Sequence, residues 1–148
     1  MELKPIGIIH SPYQETKDAP RQGRLSEAVS EIEIFSEYID GLQGIEKATH
    51  LIVLYWGHLS KRDLLQTTTP FGPEVKGVFA CRSPARPNPI AFCAADLVQR
   101  KGSTLLVRGV DAIDGSFLLD IKPYSSEIDS IEGAKIGWIP EKQRKGQA

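Results

Sequence analysis

The chain has 148 residues, 41% of them apolar and 25% charged, with a formal net charge of −1. That length suits one domain of roughly 100–200 residues, and the composition lies in the ordinary globular range, which excludes a disordered chain. No run approaches the ~18 apolar residues of a membrane span, the N-terminus with Glu2, Lys4 and Pro5 lacks a signal-peptide core, and two cysteines make no disulfide framework, so a cytoplasmic protein with no membrane association is expected.

In chain order, Lys4–His10 reads as a first strand. The irregular piece from Ser11 to Ser26 exceeds the roughly 12–15 residues of a neutral connection and is expected to be functional or disordered. Val29 to Phe35 alternates, with Ile32 and Ile34 on one face and Glu31 and Glu33 on the other, as in a half-buried strand. Leu51 to Trp56 is a continuous apolar run, short enough for a strand buried on both faces. Short helices are expected beside it, near Asp40–Ala48 and Lys61–Gln66. Val75–Cys81, Ala91–Val98, Thr104–Val110 and Phe117–Lys122 complete the strands, although Ala91–Val98 also fits a helix. Strands separated by Gly, Pro and Asp turns, without alternating β-α units, predict a mainly β fold: a single-domain β-barrel with a few short helices. The domain is expected over residues 1–138, followed by a basic polar tail, 139–148, that includes Lys142, Arg144 and Lys145.

Charge is unevenly spread. Residues 61–108 hold eight Lys/Arg against Asp63, Glu74 and Asp96, a balance of +5, while the rest of the chain carries −6. This reads either as a one-sided field that steers a polyanion or as a solvated mixed surface. No GxGxxG or GxxxxGK[ST] is present, which disfavours dinucleotide and nucleoside-triphosphate sites. His50 and His58 share strand parity, but eight strand residues separate them by about 26 Å, too far for one metal ion. Cys81 and Cys93 sit among apolar residues and are expected to be packed thiols.

Two segments carry chemistry. Arg82-Ser83-Pro84-Ala85-Arg86-Pro87-Asn88-Pro89-Ile90 places two guanidiniums and a carboxamide among three prolines. Each proline fixes its own φ and pushes the preceding residue toward extended geometry, so the loop has little entropy left to lose. It is either a strand-capping turn or a stiff site for an anionic or nucleobase-bearing ligand. In Asp120-Ile121-Lys122-Pro123-Tyr124, strand periodicity puts Asp120 and Lys122 on one face, some 7 Å apart. An exposed Asp–Lys pair of this kind stabilises little.

Gly77-Val78-Phe79-Ala80-Cys81 continuing through Arg82 to Ile90 resembles the signature of the TsaA-like (TrmO-type) family, S-adenosylmethionine-dependent tRNA methyltransferases acting on N6-threonylcarbamoyladenosine at position 37. Ile6–Tyr13 with Pro20-Arg21-Gln22, His50–His58, and Asp111–Gly115 with Asp120–Tyr124 resemble three further family segments, in family order, from residue 6 to about residue 124. The family usually has Thr where Cys81 stands, and Gly then an aliphatic residue where Ala91 and Phe92 stand. The extra C-terminal domain of many bacterial members is not expected in this chain. The resemblance implies an S-adenosylmethionine site formed by Gln22, Gly23, Arg24, His58, Leu59, Arg82, Phe92, Asp111, Ala112, Ile113 and Asp114. It implies that Arg86 and Asn88 hold the modified nucleoside, with Arg86 suited to its carboxylate, and that Asp120, Lys122 and Tyr124 form a catalytic cluster; on the ligand spacing above, no metal site is expected. It further implies tRNA as partner and a homodimer whose sites draw on both subunits. A methyltransferase for a small anionic metabolite and a non-catalytic nucleoside- or RNA-binding module are the alternatives.

Overall fold

Period-two alternation of apolar residues lets short strands bury one face each, and closing such a sheet on itself removes its unpaired edges. The computed structural model describes residues 1–140; Lys142, Arg144 and Lys145 of the expected basic tail lie outside the described residues. Strands β1 (Gly7–His10), β2 (Val29–Ile34), β3 (His50–Trp56), β6 (Ile90–Lys101), β7 (Thr104–Arg108) and β8 (Ser116–Pro123) close into one antiparallel barrel in the order β1-β2-β7-β6-β3-β8. The expected mainly β barrel with few short helices is the observed fold. Ile9, Ile32, Leu51, Val53, Ala95, Leu105, Val107 and Leu118 fill its interior with no solvent exposure.

The barrel's two ends differ. At one end lie Trp56 of β3 and Ser116 of β8; at the other lie His50 and Pro123, with a lid of 3₁₀ turns, Ser36–Leu42 and Ile45–Lys47, that bend at Gly44 (φ 88°). These turns occupy the expected helical region around Asp40–Ala48. Between β3 and β8 the register slips, Leu54 facing Asp120 but Tyr55 facing Leu118, so Leu119 is an extra residue. A bulge of this kind re-aims neighbouring side chains. It keeps Tyr55 inside while Asp120 and Lys122 stay on the outer face opposite Leu54 and Ile52.

Several expectations require correction. β3 is not buried on both faces: Leu51, Val53 and Tyr55 are buried, whereas Ile52, Leu54 and Trp56 are partly exposed on the outer face. Ala91–Val98 is the strand expected, within the longer β6. Val75–Cys81 splits, because β5 (Gly72–Gly77) ends at Gly77 and a 3₁₀ turn spans Val78–Ala80. No helix forms over Lys61–Gln66, whose backbone is used elsewhere: Lys61 O accepts from Arg86 N at 3.1 Å and Leu65 O from Val78 N at 2.9 Å. β4 (Gln66–Thr69) pairs with β5 as a separate hairpin, and its polar sequence carries no alternation to reveal it. The one-turn helix α1 (Ser126–Asp129) was also unheralded. Ile139, expected to open the tail, is buried. No helix among the described residues is long and apolar enough to cross a membrane.

Candidate functional site

The Trp56/Ser116 end of the barrel opens into a cavity of about 740 Å³, a volume typical of small-molecule sites. Its walls come from the long loop (Thr16, Ala19 to Gln22), the turn after β3 (Gly57 to Ser60), the tip of the β4–β5 hairpin, the stretch Phe79 to Phe92, the Asp111–Ser116 connection and the returning segment Ile136–Ile139. Gln22, His58, Leu59, Arg82, Arg86, Phe92, Asp111 and Ile113 all line it.

At its base the buried Tyr55 and Cys93 meet the partly buried Asp111. Tyr55 Oη donates to Asp111 Oδ1 at 2.5 Å, and Cys93 Sγ donates to the same oxygen at 3.0 Å. Desolvation, reinforced by the Asp111 charge, pushes the Tyr55 hydroxyl and the Cys93 thiol far up, so both remain protonated donors. Both use Oδ1, so among the described residues the other oxygen of Asp111, which lines the cavity, remains as an acceptor. Cys93 is the packed thiol expected, with a positioning contact that its sequence neighbours did not reveal. Cys81 is also buried and donates to Gly77 O at 3.4 Å, while the Arg82 guanidinium lies over the Phe92 ring at 5.9 Å.

The Arg/Pro loop is braced from outside. Arg62 Nε donates to Pro87 O at 2.8 Å and its terminal nitrogen to Asn88 Oδ1 at 3.3 Å, while its guanidinium lies 4.9 Å from the Trp56 ring. Arg86 donates one terminal nitrogen to Cys81 O (3.2 Å) and Ser83 O (2.9 Å), holding the loop's curve while its side chain still reaches the cavity. Asn88 is exposed, outside the cavity lining, with its carboxamide oxygen taken by Arg62.

Gly23 fits edge-on against Gly109: a Cβ there would stand 2.0 Å from Gly109 O. This contact seats Gln22 at the cavity wall and lets Arg24 reach Ala94 O (3.3 Å) and Asp96 (3.6 Å). Ala112 is fully buried, and its carbonyl accepts from Ser11 Oγ at 2.6 Å; Asp114 Oδ1 accepts from Ser11 N at 2.9 Å. Gly23, Arg24, Ala112 and Asp114 therefore shape the wall from behind. His58 Nδ1 lies 3.4 Å from Ser116 Oγ at the cavity, whereas His50 pairs with Asp96 at 3.1 Å near the far end.

Asp120, Lys122 and Tyr124 stand apart from this cavity. Lys122 Nζ pairs with Asp120 Oδ2 at 3.2 Å on the outer face, Tyr124 N donates to His50 O at 3.0 Å, and Asp120 borders a second cavity at the barrel's other end, beside Glu37, Asp40 and Lys47. A single chain does not bring this cluster to the first cavity. The positive segment also divides. Arg82 and Arg86 line the cavity with Arg21, whereas Arg100 pairs with Glu46 (3.4 Å) and Arg108 with Glu27 (3.7 Å) on the flank.

Sequence reasoning missed Tyr55, Phe71, Phe79 and Trp138 at the cavity. Tyr55 had one signal, a hydroxyl within the apolar run Leu51–Trp56; Trp138 had none, since nothing in its neighbours predicts a return to the barrel mouth.

Residues 8–130 match the family model described as the tRNA-methyltransferase O N-terminal domain. The chain is 52% identical, over 95% of its length, to an Archaeoglobus fulgidus protein named as a probable S-adenosyl-L-methionine-binding protein. It is 34% identical, over 93% of its length, to the Escherichia coli tRNA (adenine(37)-N6)-methyltransferase. The crystal structure of TrmO from Pseudomonas aeruginosa superposes with a TM-score of 0.78 at 31% identity over 93% of the chain. The chain spans 38%, 63% and 61% of those three proteins respectively.

Proposed function

Since this chain belongs to the tRNA-methyltransferase O N-terminal-domain family, we propose that it is an S-adenosylmethionine-dependent methyltransferase acting on N6 of threonylcarbamoyladenosine at position 37 of tRNA. The observation that carries this reading is the first cavity, which joins an oriented, partly buried carboxylate at its base to Arg82 and Arg86 on its wall. The residues fit the cofactor. Asp111 offers an acceptor for an ammonium or ribose hydroxyl, Phe92 and Leu59 offer apolar contact for adenine, and Arg82 offers a partner for a carboxylate. When bound, S-adenosylmethionine supplies a methyl group activated by its sulfonium. Arg86, with a fork only partly used by its own loop, suits the carboxylate of the modified nucleoside.

N6 of that nucleoside belongs to a urea, so its lone pair is delocalised and loss of the N6 proton assists attack. Asp120, Lys122 and Tyr124 form the polar cluster for this step: a base within it takes the proton, and Lys122 stabilises the developing charge or tunes Tyr124. For this they must reach a cavity that their own chain does not give them, which supports a homodimer. The partly exposed outer face runs from Ile90 and Phe92 at the cavity, through Leu54 and Ile52, to Asp120 and Lys122, so two-fold pairing across it carries one subunit's cluster toward its partner's cavity.

Methyl transfer from labelled S-adenosylmethionine to tRNA pools with and without threonylcarbamoyladenosine tests the reaction. An N6-methylated product from the modified pool alone is expected. Transfer to neither pool despite cofactor binding points to a small-metabolite enzyme, and no cofactor binding to a non-catalytic module. Mixed dimers test the shared site: at a cofactor concentration near the wild-type dissociation constant, where Lys122→Ala is inactive and Asp111→Asn nearly so, the two proteins recover about a quarter of wild-type activity when co-assembled one to one. No recovery from verified mixed dimers overturns site sharing.

A further inference from the structure

On the first cavity's rim, side chains from three distant segments meet in a row. Arg21 Cζ lies 5.5 Å from the centre of the Phe71 ring, Phe71 meets Trp138 edge-to-face at 6.1 Å, and Lys76 Nζ lies 5.5 Å from the Trp138 ring. Trp138 is held by its indole N–H, which donates to Ala80 O at 3.3 Å. Arg21, Phe71 and Trp138 all line the cavity. Beside them, also lining it, Phe79 is 78% exposed.

Such a row serves packing alone if its rings are sealed from solvent, but these rings keep surface on the cavity. Aromatic faces and guanidinium planes at the edge of a cationic pocket are the elements that stack unpaired bases and hold their phosphates. Resting on the tRNA reading above, we infer that the Arg21–Phe71–Trp138 row, with Phe79, is a subsite for one unpaired nucleotide adjacent to the nucleoside in the cavity. The rings stack its base and Arg21 meets its phosphate. Lys76 contributes less, because its ammonium already pairs with Glu74 at 2.8 Å.

The chain has two tryptophans, so Trp56→Phe leaves Trp138 as the sole indole reporter. The variant is titrated, without cofactor, with a seven-nucleotide single-stranded oligoribonucleotide and with an abasic strand of equal phosphate count. The base-bearing strand is expected to quench Trp138 emission and to bind roughly ten-fold tighter than the abasic one, with Phe71→Leu removing most of that difference. Arg21→Gln, a change at an exposed side chain that keeps the fold, is expected to weaken both strands and to flatten the salt dependence. Equal binding of the two strands, no binding of either, or binding without quenching overturns the subsite. Methyl transfer to whole tRNA is followed in parallel. If transfer fails while base-dependent quenching persists, the subsite is supported and the methyltransferase reading falls; if transfer proceeds without base-dependent quenching, the subsite alone falls.

Discussion

Asp111→Asn is expected to weaken S-adenosylmethionine binding by about 10–100-fold, the range for losing a charge-assisted hydrogen bond, while the unfolding midpoint stays near wild type. The substitution is nearly isosteric, and the carboxamide oxygen still accepts from Tyr55 and Cys93, the two donors that meet Asp111 Oδ1. The change falls on the other atom, where an amide donor replaces the acceptor offered to the ligand and the negative charge disappears. Asp111→Leu separates binding from folding. It strands two buried donors whose protons are held by desolvation, at a cost of about 1–3 kcal/mol for each group. Calorimetric titration of cofactor into Asp111→Asn, with urea unfolding of both variants, checks the pair. Unchanged affinity in a folded Asp111→Asn protein removes this carboxylate from the binding site.

Gly23→Ala is the second change with a large expected effect. The new methyl would stand 2.0 Å from Gly109 O and 2.7 Å from its carbonyl carbon, distances at which backbone must move. Gly109 itself sits at φ 98°, a conformation that favours glycine, and its neighbour Val110 is buried. That side of the contact has little room to yield, so the Gln22–Arg24 turn is displaced. Overpacking of this kind costs about 1–3 kcal/mol of stability, and loss of the Gln22 wall is expected to cut cofactor affinity at least roughly ten-fold. Denaturant unfolding and cofactor titration of one preparation report both. Wild-type affinity in the variant means that the turn shapes the fold and not the site.

The contrast between these two residues shows what the chain made legible. Gly23 was placed at the cofactor site through a family motif, yet its reason, a backbone approach to Gly109, depends on residues 86 positions apart. The barrel was readable because Ile32, Ile34 and their counterparts alternate locally, and local pattern is what strand periodicity records. The β4–β5 hairpin escaped because Gln66-Thr67-Thr68-Thr69 buries no apolar face that would impose a pattern. The Arg82–Ile90 loop announced itself through its prolines, which act on their immediate neighbours. Its brace, Arg62, did not, since the bonds to Pro87 and Asn88 span a fold that had to be known first. Tyr55, Cys93 and Asp111 likewise converge only once strand register and the Leu54/Tyr55 slip are fixed.

Barrel closure has a consequence in time. The last seam joins β1 to β8, pairing Gly7 with Leu118, and Ser11 anchors the Asp111–Asp114 connection from the same early segment. Contacts of such long sequence separation form late, because loop-closure entropy is lost before they are rewarded. On the ribosome, the first strand therefore waits unpaired on one edge until more than a hundred further residues have been made. A chain that stops short of the Asp111–Ser116 connection lacks the cavity, and ligand stabilises only the closed barrel.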